Sequence, residues 1–146
     1  MADDVRVNEN DLELDEDMLL LAGVPFSGVG FDLYEDGSLR SESPFRDGFR
    51  DGLCREWHPN GRLRCEWIAA QGTITGVKTE WHPGGALKAV GQYEYGVEIE
   101  SREWDDAGDL ISYWQIDEKS AIYAYVVGLR ERGGLRYPWI TPPETE

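Results

Sequence analysis

The chain contains little sulfur, little histidine and little positive charge. Its 146 residues include two cysteines, two methionines, two histidines and 14 lysines and arginines against 29 aspartates and glutamates. The net charge of −15 disfavours DNA, RNA and anionic lipid as partners, because proteins bind all three by neutralising phosphate with Lys and Arg. A basic partner would be attracted instead.

The chain also lacks a hydrophobic run long enough to span a membrane. The apolar run from Met18 to Ala22 falls well short of the roughly 20 residues that a bilayer requires. The acidic stretch before it is opposite in sign to the n-region of a signal peptide, so the sequence predicts a cytoplasmic protein without membrane contact. In that compartment Cys54 and Cys65 are expected to be reduced thiols that pack as small hydrophobes.

Motifs for catalysis and nucleotide binding are missing too, since no P-loop, nucleotide-binding glycine fingerprint, nucleophile elbow or zinc-protease helix is present. His58 and His82 could be two metal ligands, but zinc takes three or four, and His-Pro-x-Gly suits a hairpin corner. Asp105 and Asp106 could suggest acid/base or calcium chemistry, yet at a turn aspartate bonds its own backbone. The sequence therefore predicts a protein that is not an enzyme, with no catalytic, cofactor-binding or metal-binding residues.

What the chain does contain is a repeat of about 24 residues. Its glycines form three columns: Gly28, Gly52 and Gly76; Gly48, Gly72 and Gly96; and Gly37, Gly61, Gly85 and Gly108. Around each glycine of the last column stand an aromatic residue and a leucine, in the pairs Tyr34/Leu39, Trp57/Leu63, Trp81/Leu87 and Trp104/Leu110. Stacked repeats bury a shared core and display a long surface, which is typical of binding proteins.

Each repeat is predicted to be a β-hairpin. In residues 52–72, apolar and polar side chains alternate on both sides of the turn at 59–61, which is the period of a strand. The Pro-Asn-Gly turn supplies proline for a type I corner and glycine for a left-handed bulge position. A three-residue loop then places Trp57 opposite Leu63.

Consecutive hairpins predict a mainly β fold: an elongated, twisted antiparallel meander of seven or eight strands over residues 26–115. The first unit is expected to have a shorter, two-residue loop that places Tyr34 opposite Leu39. The aromatic column is expected to lie in the core, because four exposed rings would form an apolar patch; the alternative is an exposed ladder that grips a partner.

The flanking segments are expected to cover the sheet. Met18 to Val24 is predicted to be a strand or edge segment that starts it. Residues 116–132 are predicted to form a C-terminal α-helix capped by Asp117, although a strand is the competing interpretation of the Ile-Tyr-Ala-Tyr-Val-Val run. One domain of residues 1–146 follows, with an acidic N-terminal segment (1–25), hairpin repeats (26–115) and a C-terminal helix and tail (116–146).

The segments GLCREWHPNGRLRCEW and GVKTEWHPGGALKAVGQYEYG resemble the variant MORN repeat, and the chain is most similar to the YwqK-type antitoxin family of bacteria. The resemblance covers roughly residues 24–115 and departs in the fourth unit, where Glu100 replaces the first glycine. It implies a cytoplasmic immunity protein or antitoxin that blocks a cognate toxin, in some relatives a deaminase- or nuclease-like one. It supplies no catalytic residues.

The candidate binding site is the acidic N-terminal segment. Residues 1–17 hold eight carboxylates and one arginine, and although such a run is ordinarily a solvated segment, it could dock in the basic groove of a nucleic-acid-targeting toxin. The predicted partner-binding residues are Glu13, Asp15, Glu16, Asp17, Glu98 and Glu100. The alternative function is a non-enzymatic interaction scaffold. A monomer is expected, with edge-to-edge pairing of two copies left open.

Overall fold

The structure, a computed structural model, describes residues 5–132. In chain order its strands are β1 Arg6–Asn8, β2 Glu13–Asp15, β3 Met18–Leu21, β4 Val24–Pro25, β5 Gly28–Leu33, β6 Leu39–Arg46, β7 Phe49–Arg50, β8 Gly52–Trp57, β9 Leu63–Ala70, β10 Thr73–Trp81, β11 Leu87–Glu94, β12 Val97–Trp104 and β13 Leu110–Gln115. A short 3-10 helix spans Glu9–Asp11, and one α-helix, α1, spans Ala121–Glu131. The predicted tail after residue 132 lies outside the described residues.

Ten strands form one open sheet in the spatial order β1-β5-β6-β8-β9-β10-β11-β12-β13, with β7 paired to β6 beside this path. From β5 onward the pairing is antiparallel and follows the chain, which confirms the predicted meander of hairpins. The predicted register of the later hairpins is also confirmed: the cross-strand pairs are Trp57/Leu63, Trp81/Leu87 and Trp104/Leu110.

The returns between hairpins explain the middle glycine column. Each return has left-handed backbone at two successive residues: Asp47-Gly48 (φ 51° and 91°), Gln71-Gly72 (50° and 82°) and Tyr95-Gly96 (51° and 81°). Two left-handed residues in a row define the type I′ turn, whose twist matches that of paired strands. Glycine at the second position adopts this backbone without steric cost.

The first hairpin contradicts one prediction. Its Leu33, and not Tyr34, pairs with Leu39. Tyr34 instead begins the loop, where its N–H donates to the carbonyl oxygen of Ser38 at 2.9 Å. Tyr34 therefore occupies the position that His58 has in the next repeat, and the loop is as long as the others.

The side chain at this loop position forms a hydrogen bond from each repeat to the next, and the series of these bonds is here called the ladder. The side chain donates to the backbone carbonyl oxygen of the following tryptophan: Tyr34 Oη to Trp57 (2.6 Å), His58 Nε2 to Trp81 (2.8 Å) and His82 Nε2 to Trp104 (2.8 Å). The histidines therefore serve the stacking of repeats, and the turn interpretation of their spacing is the one the geometry supports.

Tyr34→Phe tests this ladder, because it removes one hydroxyl and leaves the Trp57 carbonyl oxygen without its donor. We expect the free energy of unfolding to fall by about 0.5–1.5 kcal/mol in urea titrations. Tyr113→Phe is the matched control, since the Tyr113 hydroxyl is exposed and its contact with Gln115 is 3.5 Å long. Equal losses in the two variants would show that the ladder contributes nothing specific.

The N-terminal segment departs from the prediction. Met18–Leu21 is a strand, but it is the centre of a separate sheet of order β2-β3-β4 and does not start the main sheet. The main sheet begins with β1, which runs parallel to β5. The small sheet meets the larger one where the Leu19 N–H donates to the Gly48 carbonyl oxygen at 2.9 Å.

Residues 121–131 are helical, so the competing strand interpretation is wrong. The cap is Ser120, whose hydroxyl accepts the Tyr123 N–H at 3.2 Å, and not Asp117 as predicted. Asp117 lies one turn earlier, where its carboxylate accepts the Lys119 N–H at 2.9 Å. A side-chain oxygen at the cap satisfies a donor that the first helical turn leaves free.

The apolar side of α1 is only partly buried. Val126 is fully buried, whereas Ile122 and Tyr125 are exposed. The helix is held to the sheet by Arg130, whose guanidinium donates two hydrogen bonds to the Glu94 carboxylate at the end of β11. Paired N–H donors on one carboxylate fix orientation as well as distance.

The core lies between the hairpins of the main sheet. Trp104 is buried with Val77 and Val90, and Leu87 packs against this cluster. The expected burial of the aromatic column is thus confirmed at Trp104, while the two earlier tryptophans of the column are half-buried. A second contact, between the rings of Phe26 and Phe45, has a centroid distance of 5.6 Å.

Candidate partner-binding surfaces

Four of the six predicted partner-binding residues lie together on the β2–β3 hairpin, here called the acidic hairpin (residues 13–17). Glu13 and Asp15 belong to β2, Glu16 forms the turn with a left-handed φ of 53°, and Asp17 follows it. All four residues are exposed. Because side chains alternate along a strand, Glu13 and Asp15 point to the face opposite Leu14, about 6.6 Å apart along β2.

The acidic hairpin lies next to the main sheet, and residues of both line one cavity. A cavity of about 610 Å³, lined by Leu14, Asp17, Leu19 and Phe49 among others, lies beneath it. At its wall the Arg50 guanidinium donates to the Glu9 carboxylate at 2.5 Å, which fixes the segment preceding the hairpin. Burial raises the pKa of Glu9, and the neighbouring Arg50 charge opposes that shift.

The other two predicted residues, Glu98 and Glu100, lie on β12 and are half-buried. Glu98 accepts the Tyr93 hydroxyl at 2.6 Å, and Glu100 lies 3.1 Å from the Arg102 guanidinium. Burial, reinforced by Glu98, raises the pKa of the Tyr93 hydroxyl, so the tyrosine remains a donor.

The structure therefore does not bring all six residues into one patch. Five strand spacings separate β12 from β6, next to which the acidic hairpin is attached. At about 4.8 Å per spacing, this amounts to about 24 Å. Glu98 and Glu100 serve contacts within the sheet, whereas the acidic hairpin presents its carboxylates to solvent.

A second candidate surface is the outer edge of the last strand, here called the β13 edge (residues 110–115). From the sequence, edge-to-edge pairing of two copies was left open, but no binding of a different protein at this strand was predicted. All six of its residues are exposed, and it carries no charged residue. Its pairing with β12 uses one side of the strand, and no strand of the described chain pairs with the other. The sequence signal was the loss of alternation in LISYWQ, where apolar side chains fall on both faces.

The structure also locates the other residues that the sequence raised for metal binding or catalysis. No group of three or more His, Cys, Asp or Glu residues in the range 5–132 could hold a metal ion. Asp105 accepts the N–H groups of Ala107 and Asp109 at 3.0 and 2.9 Å, as expected of a turn aspartate. Cys54 and Cys65 are free and buried.

The chain matches no protein-family model, no curated protein and no solved structure. Within the described residues, no helix combines the length and the apolar character needed to cross a membrane. The case for a function therefore depends on the repeats, on the charge and on the two exposed surfaces.

Proposed function

We propose that the protein is a non-enzymatic antitoxin or immunity protein that binds and neutralises a basic, nucleic-acid-targeting protein toxin in the bacterial cytoplasm. The observation that carries the proposal is the acidic hairpin, with four exposed carboxylates on one short hairpin of a chain of net charge −15. The resemblance of the repeats to YwqK-type antitoxins points to the same class of function.

The electrostatics favour this partner. Enzymes that act on nucleic acid line their substrate grooves with Lys and Arg, because they must bind phosphate. An acidic protein is steered to such a groove, and its carboxylates can occupy the positions of phosphates. The Glu9–Arg50 contact holds the hairpin in place before binding, so less conformational entropy is lost in the complex.

The proposal is tested with the product of the neighbouring gene, expressed alone and together with this protein. We expect growth arrest by the neighbour alone and rescue by co-expression. A neighbour that is harmless, yet forms a complex with this protein, would contradict the antitoxin function and favour the interaction scaffold.

The role of the acidic hairpin is tested by neutralising Glu13, Asp15, Glu16 and Asp17 together as Gln or Asn. We expect the association rate with the toxin to fall about tenfold and its salt dependence to flatten in stopped-flow experiments. The matched control neutralises four other exposed carboxylates, namely Glu35, Glu103, Asp106 and Glu131. Equal changes in the two variants would show that net charge alone matters and that the hairpin is not the site.

A further inference from the structure

We propose that the β13 edge binds an extended segment of a protein partner by adding it as a further strand, and that this segment has an apolar centre with basic residues at both ends. This surface is separate from the acidic hairpin, and the proposal holds whether or not the partner is a toxin.

The backbone of β13 is ready for such pairing. The Ile116 N–H donates to the Ile99 carbonyl oxygen at 2.8 Å, which fixes the side from which β13 bonds to β12. Because backbone groups alternate along a strand, the N–H and C=O groups of Tyr113 and Gln115 point away from β12. Ile111 is the extra residue of a β-bulge, since Glu103 pairs with Ser112 and Trp104 with Leu110, so the alternation does not extend to it. A row of outward groups at this spacing is the template used in β-strand addition.

The side chains of the β13 edge are equally suited to a partner. Leu110, Ile111, Tyr113 and Trp114 are 55%, 62%, 51% and 44% exposed. Proteins that protect an edge strand place lysine, proline, an inward-pointing charge or a β-bulge on it. Residues 110–115 contain none of the first three, and the bulge at Ile111 leaves residues 112–115 in regular pairing. An added strand would bury apolar surface on both of its faces.

The charges around the edge select the partner. Asp109 precedes β13, Asp117 and Glu118 follow it, and all three are exposed, with Lys119 next in the chain. Lysine or arginine at both ends of an added strand would therefore meet carboxylates, while its centre meets uncharged side chains.

Net charge disfavours a second copy of this chain as the added strand. Each copy carries a net charge of −15, so two copies repel one another as their edges approach.

The probe is the synthetic peptide Lys-Lys-Val-Thr-Val-Thr-Val-Lys-Lys, and its matched control has glutamate in place of every lysine. Amide hydrogen exchange of the full-length protein is measured by NMR with and without each peptide. We expect the lysine peptide to slow amide exchange at Tyr113 and Gln115 at least tenfold and to leave the acidic hairpin unchanged. The glutamate peptide should bind at least tenfold more weakly.

Two variants separate backbone pairing from side-chain contact. Gln115→Pro removes one outward N–H, and proline is tolerated where the N–H lies outside the ladder, so we expect an unchanged melting temperature and at least tenfold weaker peptide binding. Gln115→Thr keeps that N–H and should bind within about threefold of the original. If Gln115→Pro fails to fold, the comparison of the two peptides decides alone.

The proposal is overturned by equal binding of the two peptides, by absence of binding, or by binding without protection of β13. Slow exchange of the two outward amides in the free protein would also overturn it. If that protection increases with protein concentration, a second copy covers the edge; if it does not, the chain covers its own edge. None of these outcomes bears on the toxin, so the two proposals fail independently.

Discussion

Replacing Phe45 with alanine is expected to lower the free energy of unfolding by about 3–5 kcal/mol. The Phe45 residue is 5% exposed, its ring contacts the ring of Phe26, and the Arg50 guanidinium lies 5.1 Å from its centre. The ring also approaches the backbone closely, since a Cβ added at Gly30 would come within 2.7 Å of it. The backbone at Gly30 is held in the sheet and cannot move to fill the cavity that alanine leaves. Most of the free-energy cost of that cavity should therefore remain.

The measurement is chemical unfolding followed by tryptophan fluorescence, with the midpoint and the slope fitted separately. Leu53→Ala is the control, because Leu53 lies on the neighbouring strand β8 and is 40% exposed. It should cost less than about 1.5 kcal/mol. A loss below that value for Phe45→Ala, or one equal to that of Leu53→Ala, would mean that the ring does not anchor this end of the sheet.

Phe45 also connects the fold to the candidate site. It lines the cavity beneath the acidic hairpin, together with Arg50 and Phe49. Losing the ring removes the surface over which the Arg50 guanidinium lies, and with it support for the Glu9–Arg50 contact. The same substitution should therefore loosen the acidic hairpin before the rest of the sheet unfolds.

The hairpins were predictable because their determinants are local. A strand–turn–strand unit is recognised from the alternation of apolar and polar residues and from a glycine at the turn position with left-handed backbone. Gly61 and Gly85 occupy such positions, with φ of 86° and 99°. The first unit was misaligned because the partner of Leu39 is Leu33, an aliphatic residue where the other units have tryptophan. The aromatic residue Tyr34 lies one position later, so the spacing of aromatics predicts the pair Tyr34/Leu39 in place of Leu33/Leu39.

The N-terminal segment was not predictable because its strands are short and their partners are distant. Arg6–Asn8 has three residues and pairs with residues 29–31 in parallel, a contact that no local period encodes. Met18–Leu21 was recognised as a strand, but the turn at Ala22 and Gly23, with φ of 52° and 80°, folds it onto β4. It therefore joins a small sheet and not the main one.

The candidate site was predictable only for the carboxylates that are both dense in the sequence and exposed in the structure. Charge density identifies the acidic hairpin, but the engagement of Glu98 with Tyr93 and of Glu100 with Arg102 depends on the registers of the last hairpins. The exposed apolar surface of the β13 edge was not predicted, because it too depends on the position of a strand in the sheet. Leu110 pairs with Trp104 as the repeat predicts, but its strand ends the sheet, so the pattern that buries residues of the inner repeats leaves Leu110 exposed.

Alkylation of Cys65 in the folded protein is expected to be about a thousandfold slower than that of an ordinary cysteine at pH 7.5. Burial raises the pKa of the Cys65 thiol to about 12, and burial also raises the pKa of Cys54. The thiolate is the reactive species, and an ordinary thiol has a pKa near 9, so about three pKa units lower its fraction about a thousandfold. Enclosure of both side chains in the sheet slows the reaction further.

The measurement is iodoacetamide labelling followed by mass spectrometry, with guanidinium-unfolded protein as the reference. Because the pKa of the Cys65 thiol is higher in the folded than in the unfolded protein, the stability contributed by the protonated thiol is complete below about pH 9 and declines as pH rises toward 12. If labelling proceeds through unfolding, Phe45→Ala should accelerate it in proportion to the unfolded fraction, whereas Leu53→Ala should change it little. Rapid labelling of Cys65 in the stable folded protein would show that β8 and β9 open at this position, which the packed hairpins exclude.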